Sequence, residues 1–161
     1  MKAAALGALA ALMFVVACEG RAPEPAGLGP YTFGKTTFGA IHNGNCQPTK
    51  LGDGRDAMWC FALPPLQVGK RPAEVDAYFL GTTKTAPLIE LQLKIRGCTE
   101  EDVVDWLRAR FGPPIESKST REYWKNSFMW IAALLPSEPG RCLVHFLPLS
   151  ENAEIDRLKQ E

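Results

Sequence analysis

The sequence predicts an α+β fold: an antiparallel sheet of about six to seven strands, one main packed helix over about residues 100–111, and a short C-terminal helix. Three observations predict it. Residues 88–96 (LIELQLKIR) alternate strictly, with Ile89, Leu91, Leu93 and Ile95 on one side and Glu90, Gln92, Lys94 and Arg96 on the other. Such a strand belongs to a sheet with one solvated face, which favours antiparallel pairing. Residues 99–112 then change to a helical period. The rest of the chain is cut by proline and glycine into short apolar runs, giving the order βββ(β)αβββα.

Taken in order, residues 37–43 (TFGAIHN) are β-branched and aromatic up to the Asn43-Gly44 turn and read as a first strand. Residues 57–63 (AMWCFAL) and 76–81 (DAYFLG) read as shorter strands, separated by Pro64-Pro65 and Arg71-Pro72. In the main helix Thr99 is the cap, Glu100, Glu101 and Asp102 favour the positive end, and Arg108 and Arg110 the negative end. Val103, Val104, Leu107 and Phe111 make its apolar stripe, Trp106 lies at the margin, and Gly112-Pro113-Pro114 stops it. Residues 119–124 and 128–135 flank Lys125-Asn126-Ser127 as a hairpin, and residues 141–147 (RCLVHFL) form a last strand. Ser150 caps a final helix whose Ile155 and Leu158 give one narrow apolar edge.

The 161 residues are 46% hydrophobic and 22% charged, so one globular core is expected. Eighteen basic residues balance eighteen acidic ones, and no overall field draws the chain toward nucleic acid. The N-terminus departs from this average: after Met1-Lys2, residues 3–17 are uninterrupted small and apolar. This is the pattern of a secretory signal, too short for a spanning helix of about 20 residues. It ends at Val15-Val16-Ala17-Cys18, which resembles the lipobox of bacterial lipoproteins. That resemblance implies cleavage before Cys18 and lipidation of its thiol and new amine, with several acyl chains, such as palmitate, giving a stable membrane anchor. Glu19 replaces the aspartate linked with inner-membrane retention, so the resemblance implies the periplasmic face of an outer membrane. The expected organisation is a signal peptide at 1–17, a lipidated cysteine and flexible tether at 18–30, and one domain at 31–161.

Residues 29–36, GPYTFGKT, match the GxxxxGK(S/T) phosphate loop. A working loop follows a strand and opens a helix, whereas this one follows a Pro/Gly-rich stretch and precedes a β-type stretch. Pro30 has no amide to offer an anion, and Tyr31 and Phe33 are bulky where close approach is needed. No nucleotide is expected.

Beyond Cys18 stand Cys46, Cys60, Cys98 and Cys142, an even number in a chain with an export signal, and disulfides are the natural reading. Three pairings are possible and the sequence does not choose among them. Cys46 with Cys60 and Cys98 with Cys142 is favoured, because the first pair staples neighbouring segments and the second ties a strand end to a later strand. With no CxxC or HxxxH spacing, and His42 and His145 far apart, neither metal nor cofactor is expected.

Gly97-Cys98-Thr99-Glu100-Glu101-Asp102-Val103, then Phe111-Gly112-Pro113-Pro114, then Tyr123-Trp124 before a hairpin, resembles the BamE (SmpA/OmlA) type of small outer-membrane lipoprotein over residues 97–135. The resemblance implies a non-enzymatic accessory in outer-membrane protein assembly.

No GxSxG elbow or nucleophilic-cysteine motif appears, and the acidic residues 100–105 point around a helix rather than to one centre, so no catalytic residue is assigned. Aromatics are enriched at interface hot spots, which makes Tyr123, Trp124 and Trp130 the candidate partner surface. The function expected is a membrane-anchored, non-catalytic, protein-binding accessory in envelope assembly or maintenance. The alternatives are a periplasmic binder of small molecules or glycans on a face lined by Trp59, Trp124 or Trp130, and an inhibitor of a hydrolase such as lysozyme.

Overall fold

A computed structural model of the chain describes residues 23–160, apart from residue 139. Gly27–Leu28 (β1) and Tyr31–Thr32 (β2) make a small hairpin. A Cβ on Gly27 would stand 1.9 Å from the carbonyl oxygen of Tyr31, so only glycine fits there. The main sheet is built from Asn45–Lys50 (β3), Asp56–Val68 (β4), Arg71–Leu80 (β5), Leu88–Arg96 (β6), Glu116–Lys118 (β7), Arg121–Lys125 (β8), Met129–Glu138 (β9) and Arg141–Pro148 (β10). Its eight strands run β3-β4-β5-β6-β10-β9-β8-β7, with every neighbour antiparallel. Two helices, Glu100–Phe111 (α1) and Asn152–Gln160 (α2), complete the domain.

The α+β expectation is therefore corrected. Half of the described residues lie in strands and one fifth in helices, so the chain is mostly β. The excess comes from strands that run through their apparent stops. β4 passes Pro64 and Pro65 because its register shifts on both sides of Leu63, leaving the prolines where no ladder amide is needed. β5 begins at Arg71 rather than Asp76, and β3 and β7 are polar edge strands with no apolar alternation to announce them. The expected first strand at residues 37–43 is instead a bridge at Thr37 followed by a 3-10 turn, Phe38–Ala40. Pro48 on one edge and the three-residue length of the other blunt both rims against further pairing.

The first face of the sheet carries the main core. Met58, Val75, Phe79, Leu91, Leu93, Ile131, Val144 and Phe146 meet Val103, Val104 and Leu107 of α1 and the N-terminal Leu28, Tyr31 and Phe33. α1 begins at Thr99, whose hydroxyl accepts from the amide of Asp102 at 3.2 Å. It ends at Gly112, whose φ of 78° suits a residue without Cβ. The second face carries a smaller core, in which Ile155 and Leu158 of α2 cover Tyr123, Ala132 and Leu147. The face expected to be solvated is thus half covered, and Glu90 and His145 are buried there.

The segment expected to be a tether up to residue 30 is held to the domain from Glu24 onward. Asn126 Nδ2 donates to the Pro25 carbonyl at 2.8 Å, the Ser127 amide donates to Glu24 Oε2 at 2.9 Å, and Leu28 is buried.

Candidate functional site

On the second face, strand register sets side chains in rows: Asp76, Gln92, His145, the small apolar Ala132 and Tyr123 across one row, with Tyr78 opposite Glu90 in the next. The β5–β6 register slips by one residue after Tyr78, so Leu88 and Leu91 both reach the main core while Ile89 turns toward the polar side. α2 stands on one flank of these rows and the β3–β4 turn, residues 51–55, on the other. Between them lies a pocket of about 140 Å³ lined by Tyr78, Glu90, Gln92, Glu151, Glu154 and Arg157, among others.

Two carboxylates form its walls. Glu151, immediately before α2, receives two hydrogen bonds from Arg55, at 3.2 and 2.5 Å, and Arg55 also donates to Asp53. The Glu151 bonds hold the Arg55 guanidinium protonated well above its ordinary range, and the amide of Arg55 keeps Asp53 below the usual carboxylate range. Across the pocket Glu90 Oε1 accepts from Gln92 Nε2 at 2.9 Å and lies 2.6 Å from His145 Nδ1. His145 Nε2 is buried without a partner among the described residues. Arg157 closes the rim on Glu154.

Tyr78 faces this cluster with its hydroxyl bound to no described group. Burial, then the negative charges of Glu90 and Asp76, push its pKa up, so the phenol stays a neutral donor. The aromatic surface continues outward from Tyr78. Trp59 lies parallel to it, with centroids 6.2 Å apart and planes within 7°, and Phe61 sits 4.7 Å beyond. Asp76 fixes the indole, accepting from Trp59 Nε1 at 2.9 Å and from Lys94 Nζ at 2.6 Å. These three rings are half-buried, on the part of the sheet away from α2.

The pocket gathers groups that can hold a polar ligand. Its guanidiniums are matched by carboxylates, and the groups left to meet a ligand are a phenol, a carboxylate oxygen, an amide and aromatic rings. Among the described residues no group of three or more His, Cys, Asp or Glu side chains is placed to hold a metal ion.

The sequence-predicted residues fall elsewhere. Cys18 and the lipobox Val15-Val16-Ala17 lie outside the described residues. Cys46 is bonded to Cys60 across the β3–β4 ladder, and Cys98 to Cys142, the pairing favoured from the sequence. The partner surface is corrected: Tyr123 and Trp124 are buried, on opposite faces of β8 because neighbouring strand residues alternate. Trp124 sits in the main core and donates to the Gly112 carbonyl at 2.9 Å, while the Tyr123 hydroxyl donates to Leu158 of α2 at 3.2 Å. Trp130 is half-buried and tied to Asn152 of α2 at 2.8 Å.

His42 lines a separate, mainly apolar pocket with Tyr31, Ile41 and Leu63. Residues 29–36 make tight turns in which Thr36 receives the Thr32 amide and donates its own amide to the Thr32 carbonyl. Arg55, Glu90 and Glu151 went unassigned as site residues in the sequence because their partners stand 55 to 96 residues away. The remaining signal was His145 within an alternating strand.

No protein-family profile, curated protein or solved structure matches the chain.

Proposed function

We propose that the chain is a membrane-anchored envelope lipoprotein whose domain is a non-catalytic binding module, acting as a protein-binding accessory in envelope assembly or maintenance. The anchor rests on the Val15-Val16-Ala17-Cys18 pattern, and the envelope-assembly role on the resemblance of residues 97–135 to the BamE type. The observation that supports binding is the half-buried ring group of Trp59, Phe61 and Tyr78 beside the polar pocket. Rigid aromatics with polar neighbours are what interface hot spots use. The paired charges around them favour recognition over turnover.

The test is crosslinking in the living envelope with a C-terminally tagged full-length protein, followed by mass spectrometry of the captured species. A specific partner that is lost in Trp59→Ala/Tyr78→Ala and in the unanchored Cys18→Ser supports the reading; an empty set overturns it.

A second reading, a small-molecule or glycan binder, is favoured by the same rings, because stacking on Trp59 and hydrogen bonding to Glu90 and Gln92 suit a sugar or polyol. A tryptophan fluorescence change on titration with envelope glycan fragments, absent in Trp59→Phe, distinguishes it.

A further inference from the structure

Phe128 and Ile115 are the exposed large hydrophobic residues among those described, 48% and 57% exposed, and both lie at one end of the sheet. Phe128 is in the β8–β9 turn. Ile115 immediately precedes β7, whose register pairs Glu116 with Tyr123, so Ile115 lies beside Trp124 and toward that same turn. Two scattered apolar side chains need no explanation. Their position relative to the N-terminal chain does.

The chain arriving from Cys18 is fastened at this end of the sheet. Glu24 takes the Ser127 amide and the Pro25 carbonyl takes the Asn126 side chain, so the tether meets the domain next to Phe128. Six Cα-to-Cα steps separate Cys18 from Glu24, and at full extension they span about 21 Å. Phe128 is therefore confined near whatever holds Cys18. Two cations are close by: Arg110, which lines a cleft with Pro23, Pro25 and Leu28, and Lys125, adjacent to the turn. Each lies over a tryptophan ring, Arg110 on Trp106 and Lys125 on Trp130, and neither makes an ion pair with a described carboxylate. Apolar tips flanked by basic residues and tryptophans are the composition that sits between lipid headgroups and acyl chains.

We propose that this end of the sheet rests on the bilayer, with Phe128 and Ile115 at the boundary between headgroups and acyl chains and with Arg110 and Lys125 against anionic headgroups. This deepens the reading of Cys18 as lipidated and rests on it. The acyl chains retain the protein at the membrane, and the apolar tips set the domain's orientation, which an anchor on a short tether leaves undetermined.

The test uses full-length protein from cell membranes, reconstituted into vesicles of phosphatidylethanolamine and phosphatidylglycerol with a fraction of acyl-brominated lipid. An environment-sensitive fluorophore is placed at Ser127→Cys or, as the far-end reference, at Thr120→Cys; both positions are exposed and lie at opposite ends of β8. Mass spectrometry of the N-terminal peptide reads the lipidation of Cys18 separately. The result expected is acylated Cys18 and several-fold stronger quenching at 127 than at 120, falling toward the 120 value in Phe128→Ser/Ile115→Ser that keeps its thermal transition. Acylated Cys18 with equal or no quenching at the two positions overturns the docking and leaves the anchor standing. Unmodified Cys18 overturns both. A label at 127 shielded from lipid by a crosslinked protein also overturns it, and assigns the patch to that protein.

Discussion

Arg55 in the β3–β4 turn grips Glu151, 96 residues later, through two guanidinium hydrogen bonds, and so fastens the start of α2 to the far side of the sheet. Glu151 is 8% exposed, so removing its cation leaves a buried carboxylate without its main partner. Arg55→Ala is expected to cost about 1–3 kcal/mol, discounted for the partly exposed guanidinium. Chemical denaturation measures this, and faster amide exchange in α2 than in β9 locates it.

The pair of Glu90 and His145 is more deeply buried and carries a second prediction. A double-mutant cycle with Glu90→Gln and His145→Gln is expected to give a coupling of about 1–3 kcal/mol, as contacting groups in one hydrogen-bonded cluster do. Additive effects in the same unfolding experiment would show that the two side chains act independently.

Tyr78 gives a pH dependence. Its folded-state pKa is raised above the ordinary 10.0, so the folded protein keeps the phenol proton where the unfolded chain releases it. The contribution is present below pH 10 and declines as pH rises above it. Wild type is expected to lose stability above that pH more steeply than Tyr78→Phe, with the two curves parallel at neutral pH. Tyr31, whose pKa burial also raises, is common to both proteins and cancels in the comparison.

Reduction separates the disulfides. In the chain-entropy account, removing Cys98–Cys142, with a separation of 44, costs about 4 kcal/mol, and removing Cys46–Cys60, with a separation of 14, costs about 3. Paired alanine variants measured by calorimetry are expected to follow that order.

Trp124 and Trp130 separate packing from surface. Trp124→Ala is expected to cost about 3–5 kcal/mol, because it opens the core above β8 and frees the Gly112 carbonyl. Trp130→Ala, on a half-buried ring, is expected to cost less, with the loss concentrated in α2. Equal midpoints in urea for the two variants would contradict this assignment.

How much of this was legible follows from the range of the interactions. α1 was readable with its cap and stop, because Thr99, the acidic first turn and Gly112 act within a few residues. β6 was readable with both its ends from its alternation, although the facing of Ile89 was not: expected on the side of Leu91, Leu93 and Ile95, it turns to the polar side because of a slip in the pairing with β5. The edge strands β3 and β7 were not readable, because their residues are nearly all exposed and a strand without a buried face leaves no period-2 trace.

By itself the sequence determined the antiparallel character of the sheet, the position of both helices and the four cysteines available for disulfides, since each is written in local periodicity, capping residues or composition. Tertiary structure decided that β4 runs on through its prolines, that neighbouring Tyr123 and Trp124 enter two different cores, and that Arg55, Glu90, His145 and Glu151 meet around one pocket. Hydrogen bonding and burial act through space between strands distant in the chain, and their outcome is fixed only when the register of the whole sheet is set.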